Sequence, residues 1–454
     1  MNTEFKVQYH SACTNHLHDI PWDDSANVMA CIELTQECNL SCPYCQRKDS
    51  PRQTGRKKHK TIQMVEREIV TLTALSKSDA IVLTGGEPLL HPELEAVVQM
   101  VSSVGRKPIL FTNGILITRE RLRALKSVGL FGVLFHINSL QNRPGFEGAS
   151  EMDLNEMRSE LADLAGEFQL HCGFSTLVFP STLTEVQRIA LWASARPDKV
   201  HMLTFVAARF FETAIVRQEV EKDVRHSILL SPYSINAELD ADEGILSSHD
   251  LYDQIQSVFP GYRFNSFLGN AAQSGVLKWA MGTHLCRAGQ RIGNLGPIAV
   301  RILQLLGRKL AGRDVSHFSP RITRHGWIAL LTGWLDRETR KTIRRHLVTA
   351  FRKPLELFRT LHLQTFVVMQ SIDIIPEGER YSCNGCVQKT TKRSDRCSLG
   401  RDCESYVLSA PNAAEGVLED SAQMQWPRQS PVDWRNSELE RIGRGNVEAD
   451  KTKN

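Results

Sequence analysis

Long apolar runs are missing from this chain. The longest in its C-terminal half, about Trp327 to Leu335, is too short to cross a bilayer. No transmembrane helix is therefore expected. The N-terminus, Met-Asn-Thr-Glu-Phe-Lys, lacks the basic-then-apolar pattern of a secretion signal. Scattered cysteines are lacking too. The eleven present are bunched, which suits reduced metal ligands better than secreted disulfides. Cytoplasm is the expected compartment. Extremes of composition are absent: 41% hydrophobic and 23% charged residues describe an ordinary soluble globular protein. Its 454 residues have room for two or three domains.

What is present begins with Cys38-Asn-Leu-Ser-Cys42-Pro-Tyr-Cys45, three cysteines in eight residues. They follow the apolar run Val28–Leu34, which reads as a strand, so they sit on the loop leaving its C-terminal end. A structural zinc site wants four closed ligands, and disulfides want an even count. A cubane iron–sulfur cluster wants a ligand on each of four irons, so three thiolates leave one iron open to a substrate or cosubstrate. A zinc knuckle is the alternative reading of the same spacing.

Strand and helix patterns then alternate. Strands are expected at 79–84, 108–112, 132–137, 170–179 and 199–206, with helices at 61–75, 92–104, 118–128, 153–167 and 183–195. Six strands alternating with five helices imply α/β structure with parallel strands and right-handed crossovers. In barrels of that kind the chemistry lies at the C-terminal strand ends. Polar and glycine-rich punctuation falls there: Gly85-Gly86-Glu87-Pro88, Thr112-Asn113-Gly114 and Asn138-Ser139. Glycines let backbone approach a ligand, and a carboxylate can accept from an ammonium. The blander readings are a tight turn with a surface Glu and a generic Asn-Gly turn.

Taken in order, the cysteine loop with Tyr44 before its third cysteine, the GGEP loop and the TNG turn resemble the radical S-adenosylmethionine (SAM) superfamily. The resemblance covers about residues 28–207. It implies a partial (β/α)6 TIM-like barrel and a 4Fe-4S cluster held by Cys38, Cys42 and Cys45. SAM would chelate the open iron, with Gly85, Gly86 and Glu87 at its methionine amino group and Asn113 in the site floor. Asn138 and Ser139 stand where the family often places a ribose- or carboxylate-binding side chain, and Thr176 and Arg143 are poorer candidates of that kind. One-electron reduction, from a reductant such as flavodoxin or ferredoxin, would cleave SAM to a 5′-deoxyadenosyl radical. That radical abstracts hydrogen from a substrate or adds to it, and no catalytic residue beyond cluster and SAM is expected. His136, Cys31 and Cys172 read as packed strand residues.

Further on, helices are expected at 296–312, 324–335 and 337–359, and strands at 276–281 and 363–374, giving a mostly helical C-terminal extension. Cys383, Cys386, Cys397 and Cys403 form a second metal-site candidate, loosely like the auxiliary-cluster regions of the same superfamily. Its metal is a second iron–sulfur cluster or a structural zinc, and Cys286 can be considered as a distant ligand. Between Arg287 and Thr360 there are 16 Lys/Arg and 4 Asp/Glu, a local +12 in a chain of net +4. Apolar residues interleave with these charges. The expected organisation is an N-terminal extension to 25, the barrel over 26–210, a mixed region with basic helices over 211–375, the cysteine-rich segment 376–408 and a disordered tail 409–454. The basic segment reads either as a solvated helical face or as a site for an anionic or membrane-associated lipid substrate with peripheral membrane contact, and the lipid is the favoured substrate. A peptide-modifying maturase is the second enzyme reading, and an iron–sulfur carrier or zinc scaffold the non-enzyme one.

Overall fold

Parallel strands joined by helices need both sheet faces covered, and that requirement shapes this molecule. The computed structural model describes residues 30–42, 59–207, 246–268, 279–313, 333–354, 360–370 and 406–408, less 76, 247, 288–289 and 353. β1 (Ala30–Thr35), β2 (Ala80–Gly85), β3 (Lys107–Thr112), β4 (Gly132–His136), β5 (His171–Val178) and β6 (Met202–Ala207) pair in sequence order, all parallel. Between them run α1 (Ile62–Leu75), α2 (Leu94–Ser103), α3 (Arg119–Ser127), α4 (Leu154–Glu167) and α5 (Glu185–Ser194). The fold is α/β with parallel strands, as the alternation implies, and a partial barrel, as the resemblance implies.

Local chemistry fixes the ends of these elements. Thr61 Oγ1 accepts from Met64 N at 3.3 Å and opens α1, while Thr118 Oγ1 accepts from Arg121 N at 3.2 Å and opens α3. Alternate strand residues separate into two layers. Ile32, Leu83, Leu110, Phe135, Phe174 and Phe205 pack under the helices. Cys31, Val82, Ile109, Leu134 and Met202 join Met281 and Val367 in a cluster of their own on the sheet's other face. Each fully buried Leu, Ile or Phe contributes about 1.5–3 kcal/mol, so this two-layer core is the main stabilising term.

The C-terminal extension, expected as mostly helical, adds strands to the same sheet. β10 (Leu361–Gln370) lies parallel beside β6, and β8 (Trp279–Arg287) runs antiparallel to β10. β7 (Ser266–Leu268) and β9 (Gln290–Asn294) each pair antiparallel with β8, and β11 (Tyr406–Leu408) pairs parallel with β1. These strands are partly polar, with Thr283 and Thr365 bonding to each other at 3.1 Å inside the protein, so an apolar-run reading underestimates them. The described helices of this part are α6 (Ser248–Val258), α7 (Pro297–Ala311) and α8 (Arg337–Arg352). The helix expected over 324–335 falls outside the described residues except for a 3-10 turn at Gly333–Leu335. Among the described residues no helix is long and apolar enough to cross a membrane.

Candidate functional site

The cysteine loop leaves the C-terminal end of β1, and its base is stitched shut where the chain returns. Thr35 bridges His59, Lys60 N donates to Leu34 O at 2.9 Å, and His59 Nε2 lies 3.1 Å from Glu37 Oε2. Lys60 itself is buried with Glu68 at 2.6 Å. Burial pushes the Glu68 carboxyl up to about 7, against the pull of Lys60. Cys38 is exposed and Cys42 partly so, and both are thiols outside any disulfide. Tyr44 and Cys45 lie outside the described residues.

The two glycines of the GGEP loop press against this loop. A Cβ on Gly86 would lie 2.2 Å from Glu37 O, and one on Gly85 would lie 2.5 Å from Thr35 O, with Gly85 at φ +151°. Two backbone bonds use that closeness: Gly86 N to Thr35 O at 2.8 Å and Glu87 N to Glu37 O at 2.7 Å. The glycines therefore serve a backbone-to-backbone approach between loops. Glu87 is fully buried. Its Oε1 accepts from Leu89 N at 3.1 Å and Thr112 Oγ1 at 2.7 Å, and its Oε2 accepts from Asn113 N at 2.9 Å. Burial raises its carboxyl, and those three bonds pull the other way.

Asn113 joins the three loops. Its Nδ2 donates to Asn39 Oδ1 at 2.7 Å and lies 3.8 Å from Cys38 Sγ, while its carbonyl accepts from Arg143 Nη2 at 2.6 Å. Arg143 also donates to His136 O at 3.0 Å and, through Nε, to Gln141 Oε1 at 2.8 Å. It is a buried strut between the ends of β3 and β4. Asn138, also buried, accepts from Leu140 N at 3.0 Å through Oδ1 and caps the turn Ser139–Gln141. Ser139 N donates to Glu151 Oε1 at 2.6 Å. Thr176 Oγ1 donates to Ile137 O at 3.0 Å, so that hydroxyl is used within the sheet. His136 sits beside Phe111, ring centroids 5.8 Å apart. Burial, assisted by the Arg143 guanidinium, pushes its imidazole down to about 4, and its buried Nδ1 has no hydrogen-bond partner among the described residues.

Sequence reasoning brought Cys38, Gly85, Gly86, Glu87, Asn113, Asn138 and Ser139 to these strand ends, and they lie there together. It missed Asn39 and Thr112 as bonding partners, the strut role of Arg143, and the pair Glu151–Arg158. Thr112 and Asn39 sit inside motifs already singled out, so their position was a usable signal. Arg143 and Arg158 each have one local partner, Gln141 and Asn155, but the bond of Arg143 to Asn113 O is set by tertiary approach. Cys31 and Cys172 are buried strand residues, as read. Cys286 is buried within β8, where burial pushes its thiol up to about 12. Cys383, Cys386, Cys397 and Cys403 lie outside the described residues.

The donor chemistry suits an iron–sulfur cluster at the cysteine loop. Cys38 Sγ accepts from Leu40 N at 3.4 Å in addition to the Asn113 contact, and such donors stabilise a thiolate.

Residues 32–193 match the family model described as the Radical SAM superfamily. GTP 3',8-cyclase of Chlorobaculum tepidum is 35% identical over 135 residues, which cover 29% of this chain and 39% of that protein. PqqA peptide cyclase of Methylocella silvestris is 32% identical over 122 residues, or 26% of this chain and 32% of the other. The chain thus spans about a third of the length of these relatives. The structure of native anSMEcpe with bound AdoMet aligns with a TM-score of 0.34 at 14% identity, covering 51% of this chain and 59% of that one.

Proposed function

Residues 32–193 form a radical SAM domain, and from that premise we propose that the chain holds a 4Fe-4S cluster through Cys38, Cys42 and Cys45 and binds SAM beside it. The superfamily binds that cluster and SAM, and the chain is an enzyme of the radical SAM class, which needs a reductant. When bound, the pair supplies reductive cleavage of SAM to methionine and a 5′-deoxyadenosyl radical that abstracts hydrogen from the substrate or adds to it. The protein's own part is placement. Gly85 and Gly86 set the GGEP loop on the cysteine loop, and Glu87 ties that loop to the TNG turn. Asn113 reaches from the turn to Cys38, and Arg143 braces the end of β4, where Asn138 and Ser139 remain candidates for SAM contacts. Tyr44 of the cysteine loop is a further candidate. Burial holds the His136 imidazole down at about 4, which favours its uncharged form.

The observation that carries this reading is the convergence of three separate strand-end loops on Asn113, at the foot of the cysteine loop. The substrate we favour is an anionic or membrane-associated lipid, on the basic helices α7 and α8, and the reductant a flavodoxin or ferredoxin. A peptide substrate is the second reading, supported by the likeness to a peptide cyclase over the barrel. The four C-terminal cysteines would bind a second cluster or a zinc. Anaerobic reconstitution followed by dithionite should yield 5′-deoxyadenosine from SAM, and replacing Cys38, Cys42 and Cys45 with Ala should abolish it. Unchanged turnover in the triple variant would refute the proposal. Iron falling from about eight to about four per chain on Cys383→Ala and Cys386→Ala identifies the second site as a cluster, whereas loss of one zinc identifies a structural site.

A further inference from the structure

An amphipathic helix on a protein surface ordinarily buries its apolar stripe. α8 turns mostly polar residues inward, with Ile343 alone of its described apolar residues packed on Leu295 and Val300. Its buried stripe, at three- and four-residue spacing, is Thr339, Thr342 and His346, continuing from Asp336 just before the helix. Each of these has a polar contact below. Asp336 Oδ2 accepts from Ile298 N of α7 at 3.1 Å, and Oδ1 accepts from Glu338 N and Thr339 N. Thr339 Oγ1 accepts from Gly296 N at 2.8 Å, and Thr342 Oγ1 donates to Asn294 O at 2.6 Å. His346 lies against Arg287, both of its ring nitrogens near Nη2.

The outward stripe of α8 is cationic in its first half and apolar in its second. Arg337, Arg340, Lys341 and Arg344 are exposed, followed by Leu347, Val348 and Phe351, the last 89% exposed, and then Arg352. Glu338 is the one acidic residue on α8, and it bonds to Lys341 at 2.9 Å. The turn before the helix adds exposed Trp334 and Leu335. On α7, exposed Ile298, Leu305 and Leu310 alternate with exposed Arg301 and Lys309.

We infer that this outward face of α8 docks on an anionic lipid surface. Aliphatic and aromatic side chains kept in water beside a row of cations match the two terms of interfacial binding. These are apolar burial at the headgroup boundary and about 1 kcal/mol per Lys or Arg that reaches an anionic surface. A second copy of the chain would bring the same cations face to face. A nucleic acid would use the arginines and leave Leu347, Val348 and Phe351 with no role. The inference deepens the lipid-substrate reading and stands apart from SAM cleavage.

The test uses the full chain, sedimented with vesicles of phosphatidylcholine alone or mixed with phosphatidylglycerol. Binding is expected only to the mixed vesicles and is weakened by added salt. Arg340→Gln with Arg344→Gln should lower partitioning by about 25-fold, fivefold per cation removed, and Phe351→Ser by about tenfold. Each variant is first checked for an unchanged melting curve, and Leu347→Ser replaces Phe351→Ser if that one melts early. Formation of 5′-deoxyadenosine without vesicles should be unaffected by these changes, which separates failure of the surface from failure of the radical chemistry. The inference is overturned by no binding to either vesicle, by equal binding to both, or by partitioning indifferent to Phe351→Ser. Tighter retention on RNA or on polyglutamate, equally indifferent to that substitution, would overturn it as well.

Discussion

Asn113 Nδ2 lies 3.8 Å from Cys38 Sγ while donating to Asn39 Oδ1 at 2.7 Å. One amide thus positions the cysteine loop and places an N–H dipole at the sulfur of Cys38, a proposed cluster ligand. Hydrogen bonds to cluster sulfurs favour the reduced, more negative state and raise its potential. Asn113→Ala should therefore make the reduction potential of the reconstituted cluster more negative at unchanged iron content. A redox titration followed by electron paramagnetic resonance reads this directly. An unchanged potential would mean that the contact only shapes the loop.

Glu87 offers a test of ligand against latch. Its carboxylate already accepts three protein hydrogen bonds, two of them from the TNG turn. Glu87→Ala leaves those donors buried and unpaired, so a loss on the order of 3 kcal/mol in stability is expected. Denaturant unfolding measures it. Normal stability with tenfold to hundredfold weaker SAM binding would instead support the ammonium contact expected from sequence.

Much of this arrangement is legible in the sequence because strand ends announce themselves. Buried parallel strands read as continuous apolar runs, and the polar residues that interrupt them, Glu87, Asn113 and Asn138, fall at the C-terminal ends. Two things are not legible. The bonds of Arg143 to Asn113 O and His136 O join residues 30 and 7 positions apart, and no local pattern encodes them. The inward face of α8 is polar but for Ile343, so hydrophobic periodicity alone does not locate it. β8 and β10 overlap the strands expected at 276–281 and 363–374, and the buried polar residues Thr283, His284, Gln364 and Thr365 blur only their bounds.

Acid should loosen the barrel from the opposite end of its strands. His171 and His201 stack with ring centroids 5.2 Å apart, and His201 Nδ1 accepts from Cys172 N at 2.9 Å. Burial lowers both imidazoles, His201 to about 4. A folded-state value below the unfolded one, roughly 6.5, favours the neutral ring in the native state. The associated stability is thus present above about pH 6.5 and is lost as pH falls toward 4. His201 alone contributes roughly 3 kcal/mol over that window. Melting temperature should drop across it, and His201→Asn, which keeps an acceptor near Cys172 N, should flatten the drop. An equally steep profile in that variant would assign the acid sensitivity to other groups.

The loop after β4 hangs on a buried ion pair. Arg158 is fully buried, with Nη2 on Glu151 Oε2 and Nη1 on Glu151 O at 2.7 Å and Asn155 Oδ1 at 2.8 Å. Glu151 Oε1 in turn takes Ser139 N. Removing one partner strands a buried charge, so Arg158→Ala and Glu151→Ala should each cost about 3–5 kcal/mol. Replacing both with apolar residues, Arg158→Met with Glu151→Leu, should recover most of that loss because neither charge is then left unpaired. If the pair exists only for stability, the double variant will also bind SAM normally. If it exists to hold Ser139 and Asn138 in place, stability will return while SAM affinity stays weakened. The second outcome is expected, because an apolar pair cannot accept from Ser139 N, and equilibrium unfolding beside SAM titration separates the two.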